Sequence, residues 1–261
     1  MDLKGIVKRG SFDLHIHSTA SDGIYSPKQL VAMAKERGLK TIAITDHDTL
    51  EGIQEAKTAG DMLGVNVIGG VEISTKYQSV SLDILGYFVD PTKQITETLL
   101  KLRMGRKERA HLMIKKLNDM GVGITISDVM EFSGGSVIAR PHIAQAVVKK
   151  GYEQDHQTVF DEYIGDGRPC AVDKVILSPR DAVQLIREAG GMSVLAHPKY
   201  VKNDELVREV LMMGLDGLEV WHRDHTTEEV EKFKKMAEEF GLLMTGGSDF
   251  HNDNHILGKF N

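Results

Sequence analysis

The chain has one cysteine, Cys170, among 261 residues. That excludes an intrachain disulfide and a thiolate cluster for structural zinc, so any metal must be held by histidine, aspartate and glutamate. Long apolar runs are missing too. None approaches the ~20 residues that span a bilayer, and the opening MDLKGIVKRG lacks the hydrophobic stretch of a signal peptide. We expect a cytoplasmic protein with no membrane partner. Positive charge is not in excess: the net charge is −6 and the pI near 6.0. This argues against a protein that coats long nucleic acids, while leaving room for a local basic pocket and a small anionic substrate. Nucleophile motifs are also absent. Ser18 is followed by Thr19 without a glycine elbow, Cys170 has no evident partner, and no Walker-type phosphate loop occurs.

What is present is a succession of short apolar runs that end in acid or histidine. With 41% hydrophobic residues the chain can bury one large domain, or a domain with an insert. In DLHIHSTASDG, period-two alternation predicts a strand with Phe12, Leu14 and Ile16 on one packed layer and Asp13, His15 and His17 on the other face. Ser26 and Pro27 cap a helix over 26–38, which Gly38 closes. Residues 40–45 read as a buried strand before Asp46 and His47, and a helix is expected over 50–63. VNVIGGVEIST carries Glu72 and SLDILGYFVD carries Asp83 on two further strands. GGMSVLAHP, LDGLEVWH and GLLMTGGSDFH are three more, each after a helical pattern. The alternation predicts a parallel α/β sheet or barrel. Between about residues 92 and 167 the period is helical (Leu99, Leu102, Met113, Ile114, Leu117) and no comparable strand occurs. The expected organisation is therefore 1–98 and 168–261 as the two parts of the barrel, with 99–167 as a helical insert. No internal repeat or low-complexity segment interrupts it.

The positions of His15, His17, Asp22, His47, Glu72, His197, Asp249 and His251 decide the chemistry. Each falls on or just after the end of an expected strand. In a parallel barrel the C-terminal strand ends ring one mouth, so residues remote in sequence converge there. Alone, a histidine such as His197 reads as a hydrogen-bonded loop residue, and His111 and His156 in the insert read as solvated or capping groups. As a set, the strand-end residues predict a polynuclear metal site. A carboxylate such as Glu72 can bridge two ions, and mixed imidazoles and carboxylates suit Zn, Mn or Fe better than Ca or Mg.

The motifs DLHIHSTASDG, TDHDT, GVEIS, AHP and GSDFH, in this order and over nearly the whole chain, resemble those of the PHP (polymerase and histidinol phosphatase) superfamily. The resemblance implies a distorted (β/α)7 barrel with a helical insert, and a site for two to three divalent ions. It further implies that His15, His17, Glu72 and Asp249 hold one ion, Asp22, His47 and His251 a second, and Glu72, Asp83 and His197 a third. Relatives generally carry histidine where this chain has Asp83; the aspartate is either an oxygen ligand with a shorter reach or a hydrogen-bonded strand residue. ARPHIAQAVV and YIGDGRPCAVDK resemble the branch of nucleoside 3′,5′-bisphosphate phosphatases and 5′-to-3′ exo-oligoribonucleases.

The expected reaction is phosphomonoester hydrolysis by a metal-bound hydroxide on the eight strand-end ligands, with the 3′-phosphate of a nucleoside 3′,5′-bisphosphate as its target. The alternatives are a 5′-to-3′ exonuclease on short RNA, a histidinol-phosphate-like phosphatase, and a non-catalytic metal or nucleotide-binding module. Arg140 and Lys174 are candidates to grip a second phosphate. Arg103, Arg106 and Arg109 recur three apart on one helix, as a phosphate-binding stripe or as a solvated face. Trp221 and His222 are candidates for a stacking surface or a polar substrate contact, with core packing the other reading of Trp221.

Overall fold

The computed structural model describes residues 2–133, 138–172 and 176–261, and leaves the side chains of residues 106, 107 and 133 undescribed. The described chain divides into two compact units, residues 1–99 with 176–261 and residues 100–175.

The larger unit is a seven-stranded sheet in the order of the chain: β1 Phe12–Asp13, β2 Thr41–Ile44, β3 Asn66–Tyr77, β4 Val80–Tyr87, β5 Met192–Leu195, β6 Gly217–His222 and β7 Leu243–Gly247. The sheet curls until its edges nearly meet. Leu14 N donates to Gly246 O (3.1 Å), His17 N donates to Phe250 O (3.0 Å), and Ile16 bridges Phe250 in parallel. Such closure removes the unpaired strand edges that an open sheet exposes.

The sheet is not wholly parallel, and here the expectation is corrected. β1–β2, β2–β3, β5–β6 and β6–β7 are parallel, whereas β4 is antiparallel to both β3 and β5. The cause is the link between β3 and β4, only Gln78 and Ser79, both with positive φ (46° and 67°). Two such residues make the tight primed turn of a hairpin, which forces the strands antiparallel. The alternation expected of residues 12–17 is corrected as well. Regular pairing ends at Asp13. Phe12 and Leu14 are buried with Leu3 and Ile6 of α1 (Leu3–Arg9), while Ile16 packs in the layer under the outer helices. Past Asp13 side chains take part of what a regular ladder would: His15 N donates to Asp13 Oδ1 (3.3 Å) and Ile16 N to Thr45 Oγ1 (3.1 Å), while Leu14 N and His17 N reach the backbone at and just past the end of β7.

Outside the sheet, α2 (Pro27–Glu36) and α3 (Ile53–Leu63) cover β2, burying Leu30, Val31, Ala34, Ala56 and Ala59 against Ile42 and Ile44. The start of α2 follows the sequence signal. Ser26 Oγ accepts from Gln29 N, and the Gln29 side chain accepts from Ser26 N, closing a capping box with Pro27 at the first helical position. A long helix, α4 (Lys93–Asp119), starts in this unit and ends in the smaller one. The smaller unit adds α5 (Ile126–Ser133), α6 (Arg140–Lys149) and α7 (His156–Val159), which continues as a π turn over Phe160–Ile164. It has its own core, in which Met113, Leu117, Val129, Ile143, Val147 and Ile164 are buried. Returning to the barrel, α8 (Pro179–Glu188), a 3-10 turn (Pro198–Val201), α9 (Asp204–Leu211) and α10 (Thr227–Glu239) complete the outer layer. No helix among the described residues is long and apolar enough to cross a membrane.

Candidate metal centre

At one mouth of the barrel, three groups of side chains each bring their donor atoms within 4.8 Å of one another: His15, His17, Glu72 and Asp249; His17, Asp22, His47 and His251; Glu72, Asp83 and His197. Glu72 is the hub. Its Oε2 lies 3.3 Å from His15 Nε2, 3.1 Å from His17 Nε2 and 3.2 Å from His47 Nδ1, and its Oε1 lies 3.0 Å from His197 Nε2. Asp249 Oδ1 closes the first group at 3.5 Å from His15 Nε2 and 3.3 Å from His17 Nε2. In the second, Asp22 Oδ1 is 3.6 Å from His17 Nδ1 and 3.4 Å from His251 Nε2. His17 therefore stands beside two groups, one at each ring nitrogen. The third group is the loosest, with Asp83 Oδ2 3.9 Å from His197 Nε2.

The antiparallel β4 explains how Asp83 arrives. Most of the others follow strand ends, whereas Glu72 lies within the long β3 and Asp83 within β4, opposite Ser74 of β3. Ser74 is two residues from Glu72 on the same face, so the pairing delivers Asp83 to the mouth that β3 serves. Two donors sit on backbone that only a constrained fold maintains: His197 has φ 26° and Asp249 φ 48°. A close approach holds the site together as well. A β-carbon at Gly247 would lie 2.3 Å from that of His15, so the glycine of GSDFH lets β7 pass against β1.

These residues fit divalent cations. His15 and His17 are fully buried, yet His15 Nε2 and both nitrogens of His17 make no hydrogen bond, a costly state for buried imidazole nitrogens. All three point at carboxylate oxygens at distances that ligands of one ion share. The titration of the groups gives the same reading. Burial opposes a charge on His17, but Asp249 and Glu72 outweigh it and push its pKa up to about 10. His197 is pushed up to about 9, Glu72 outweighing burial in the same way. Burial likewise disfavours charge on Glu72 and Asp249, but the imidazoles hold both carboxyls well below the usual range. The pocket is built for positive charge.

Around the donors lies a set of supports that the sequence reading did not single out. Glu219 of β6 is fully buried; Oε1 accepts from His15 Nδ1 (3.0 Å) and Oε2 from His197 N (2.7 Å). It fixes the tautomer of His15, as carboxylates commonly do for metal-bound imidazoles. Asp46 accepts from Ser18 N (2.7 Å), Ser18 Oγ (2.7 Å) and Ser21 Oγ (2.6 Å), anchoring the loop that carries Asp22. Arg223 Nη2 holds Asp249 Oδ2 at 2.9 Å and Nη1 donates to the carbonyls of Ser248 and Asp249, leaving Oδ1 for the donors above. Asp13 does not project into the site with His15 and His17: it accepts from Ser248 N (2.9 Å) and Gly258 N (2.7 Å) and ties β7 to the C-terminal segment. The only signal for Glu219 was an acid inside the apolar run LDGLEVWH.

His222 has no exposed surface; Nδ1 accepts from Asp224 N (3.2 Å) and Nε2 lies 3.5 Å from Asp249 Oδ2, so it backs Asp249 and offers no open stacking face. The reason is a bulge between Glu219 and Trp221, which turns Glu219 and His222 inward and Trp221 outward. Trp221 is half-buried, its ring under Lys234 Nζ of α10 (6.0 Å), which is the packing role. In the insert, Arg140 Nη1 donates to Asp166 Oδ1 (2.7 Å), with its guanidinium over Phe160 (6.0 Å), and Arg109 Nε donates to Val172 O (2.7 Å). Arg109, Arg140 and Phe160 share the wall of a cavity of about 320 Å³ within that unit. Arg103 lies half-buried on the same helix as Arg109. Lys174 and the side chain of Arg106 lie outside the described residues.

A barrel whose mouth gathers imidazoles and carboxylates around a shared glutamate defines a metal-dependent phosphoesterase, a hydrolase of phosphoric esters. The comparisons with known proteins agree. The PHP domain matches residues 13–165. The chain is 34% identical over 248 residues to a 3′,5′-nucleoside bisphosphate phosphatase of Chromobacterium violaceum, covering 92% of this chain and 87% of that one. It is 34% identical over 246 residues to a 5′-3′ exoribonuclease of Haemophilus influenzae, covering 92% and 89%. A solved structure from Bifidobacterium adolescentis, described as a metal-dependent phosphoesterase, superposes with a TM-score of 0.81 at 32% identity, covering 95% of this chain and 91% of that one. The chain belongs to the PHP family.

Proposed function

We propose that this chain is a cytoplasmic enzyme that removes the 3′-phosphate of nucleoside 3′,5′-bisphosphates. Its cofactors would be two to three divalent ions, of Mn, Zn or Fe character, held by His15, His17, Asp22, His47, Glu72, Asp83, His197, Asp249 and His251. The observation that carries the reading is the hub position of Glu72, whose two oxygens face donors of all three groups. The identity to a phosphatase of that substrate along most of both chains supports the choice of phosphoester.

When bound, the ions supply an activated water and neutralise phosphoryl oxygens. The chain's own part is arrangement. Glu219 holds the His15 ring by its Nδ1 and the strained His197 backbone by its N–H, so both imidazoles present Nε2 inward. Arg223 and His222 occupy one side of the Asp249 carboxylate. Asp46 fixes the turn that delivers Asp22. Arg140, with Lys174, Arg103, Arg106 and Arg109 as further candidates, would grip the second phosphate by guanidinium and ammonium contacts.

The exonuclease reading is favoured by one observation, the equal identity to an exoribonuclease. Product analysis separates the two. With adenosine 3′,5′-bisphosphate, AMP and a short 5′-phosphorylated RNA as substrates, the phosphatase should release inorganic phosphate from the bisphosphate alone. Mononucleotides released stepwise from the RNA would replace it with the exonuclease, and activity on none of the three would remove both. Arg140→Ala should raise KM for the bisphosphate, and unchanged turnover would refute its role in the grip.

A further inference from the structure

The segment AHPKYV places an aromatic ring beside the metal centre that none of the roles above uses. Tyr200 lies on the 3-10 turn Pro198–Val201, which starts at His197. Its ring centroid is 5.2 Å from that of His197 and 6.0 Å from that of His222, and the residue is 45% exposed although His222 beside it is buried. The ring is held at both ends. Tyr200 N donates to His197 O (3.0 Å), and the hydroxyl donates to Asp224 Oδ2 (2.6 Å). An exposed aromatic surface fixed in advance loses little freedom when a flat partner settles on it.

A cavity of about 650 Å³ adjoins the ring. That is the size of a small-ligand pocket. Its charged wall consists of Lys199, Lys202, Lys232, Asp204, Glu205 and Glu229, three of each sign, and two of the lysines are already paired: Lys199 with Glu229 (3.2 Å) and Lys232 with Asp204 (2.7 Å). A wall without net charge does not select a phosphate. It suits the uncharged aromatic part of a substrate whose phosphate lies on the metals.

We infer that Tyr200 is the stacking platform for the nucleobase and so a specificity-determining residue of this enzyme. The inference rests on the proposed nucleotide substrate. Stacking of a base on an aromatic side chain is sequence-tolerant, so preference among bases should be weak.

The test compares wild type, Tyr200→Ala, Tyr200→Phe and Tyr200→Trp on adenosine 3′,5′-bisphosphate and on the abasic 1-deoxyribose 3,5-bisphosphate. Tyr200→Ala should raise KM for the nucleotide by about five- to a hundred-fold with kcat little changed, and leave the abasic compound unaffected. Tyr200→Phe and Tyr200→Trp should keep the nucleotide KM near that of wild type. Equal losses on both compounds would assign the ring a merely structural role, and no loss on the nucleotide would refute the platform. Calorimetric binding of both compounds to the metal-loaded proteins reads the same contrast without turnover. A wild type that binds both and hydrolyses neither would therefore overturn the proposed reaction, while the base-dependent difference in affinity still decides the role of Tyr200.

Discussion

Glu219 touches two donors through one carboxylate and offers none of its own oxygens to the groups around Glu72. Replacing it by alanine leaves His15 Nδ1 and the His197 N–H without their acceptor, and outer supports of this kind are worth about 10- to 100-fold in metal affinity or activity. Glu219→Ala should show that loss in a metal-binding titration while the group of Asp22, His47 and His251 keeps its ion; an unchanged titration would deny the supporting role. Asp83 poses the opposite question. It is the most distant donor of its group, 3.9 Å from His197 Nε2. If it is a ligand, Asp83→Ala should lower the metal retained after dialysis by about one ion per chain, and Asp83→His, with the longer reach and softer donor, should retain zinc better than the parent. Equal metal content in all three proteins would make Asp83 a strand residue only.

At the level of elements, β6 and the β3–β4 hairpin show what sequence patterns carry and what they do not. The positions of His15, His17, Glu72 and Asp249 were legible because period two and strand ends are local properties of a chain. The bulge in β6 is not local: it depends on how β7 pairs beside it, and it reverses which of Trp221 and His222 faces inward. The β3–β4 reversal was hidden for a related reason. Primed turns are read from Asn-Gly or Asp-Gly, and here Gln78 and Ser79 take the positive φ without that signature. Similarly, an acid within an apolar strand announces burial but not its partners, so Glu219 could be noticed but not assigned. The approach of β7 to β1 yields its own prediction. Gly247→Ala sets a β-carbon 2.3 Å from that of His15, so the strands must part. Thermal unfolding should show a loss of about 1–3 kcal/mol, together with weaker metal binding. A variant of full stability and full metal content would mean that the close approach is dispensable.

For the whole molecule, the centre links stability to pH and metal. His17, raised from 6.5 to about 10, and His197, raised to about 9, stabilise the metal-free fold when protonated. A raised folded-state pKa gives a contribution that is complete below the unfolded value and lost as pH rises through the folded one. Metal-free protein should therefore lose thermal stability between about pH 7 and 10. Ions bind the deprotonated ligands and stabilise the fold that holds them, so the loaded protein should hold its Tm over that range and the gap between the two should widen with pH. A gap that shrinks with rising pH would contradict this account of the site's charge.

The central claim is that phosphoester hydrolysis depends on ions held at the Glu72 hub. The most direct test measures phosphate release from adenosine 3′,5′-bisphosphate by protein stripped of metal and then reloaded with Mn, with bound metal determined on the same samples. The account predicts no release from the stripped protein, recovery in step with bound metal, and no recovery in His17→Ala, which removes a donor shared by two groups. Full activity in the stripped protein, or in His17→Ala, would contradict it.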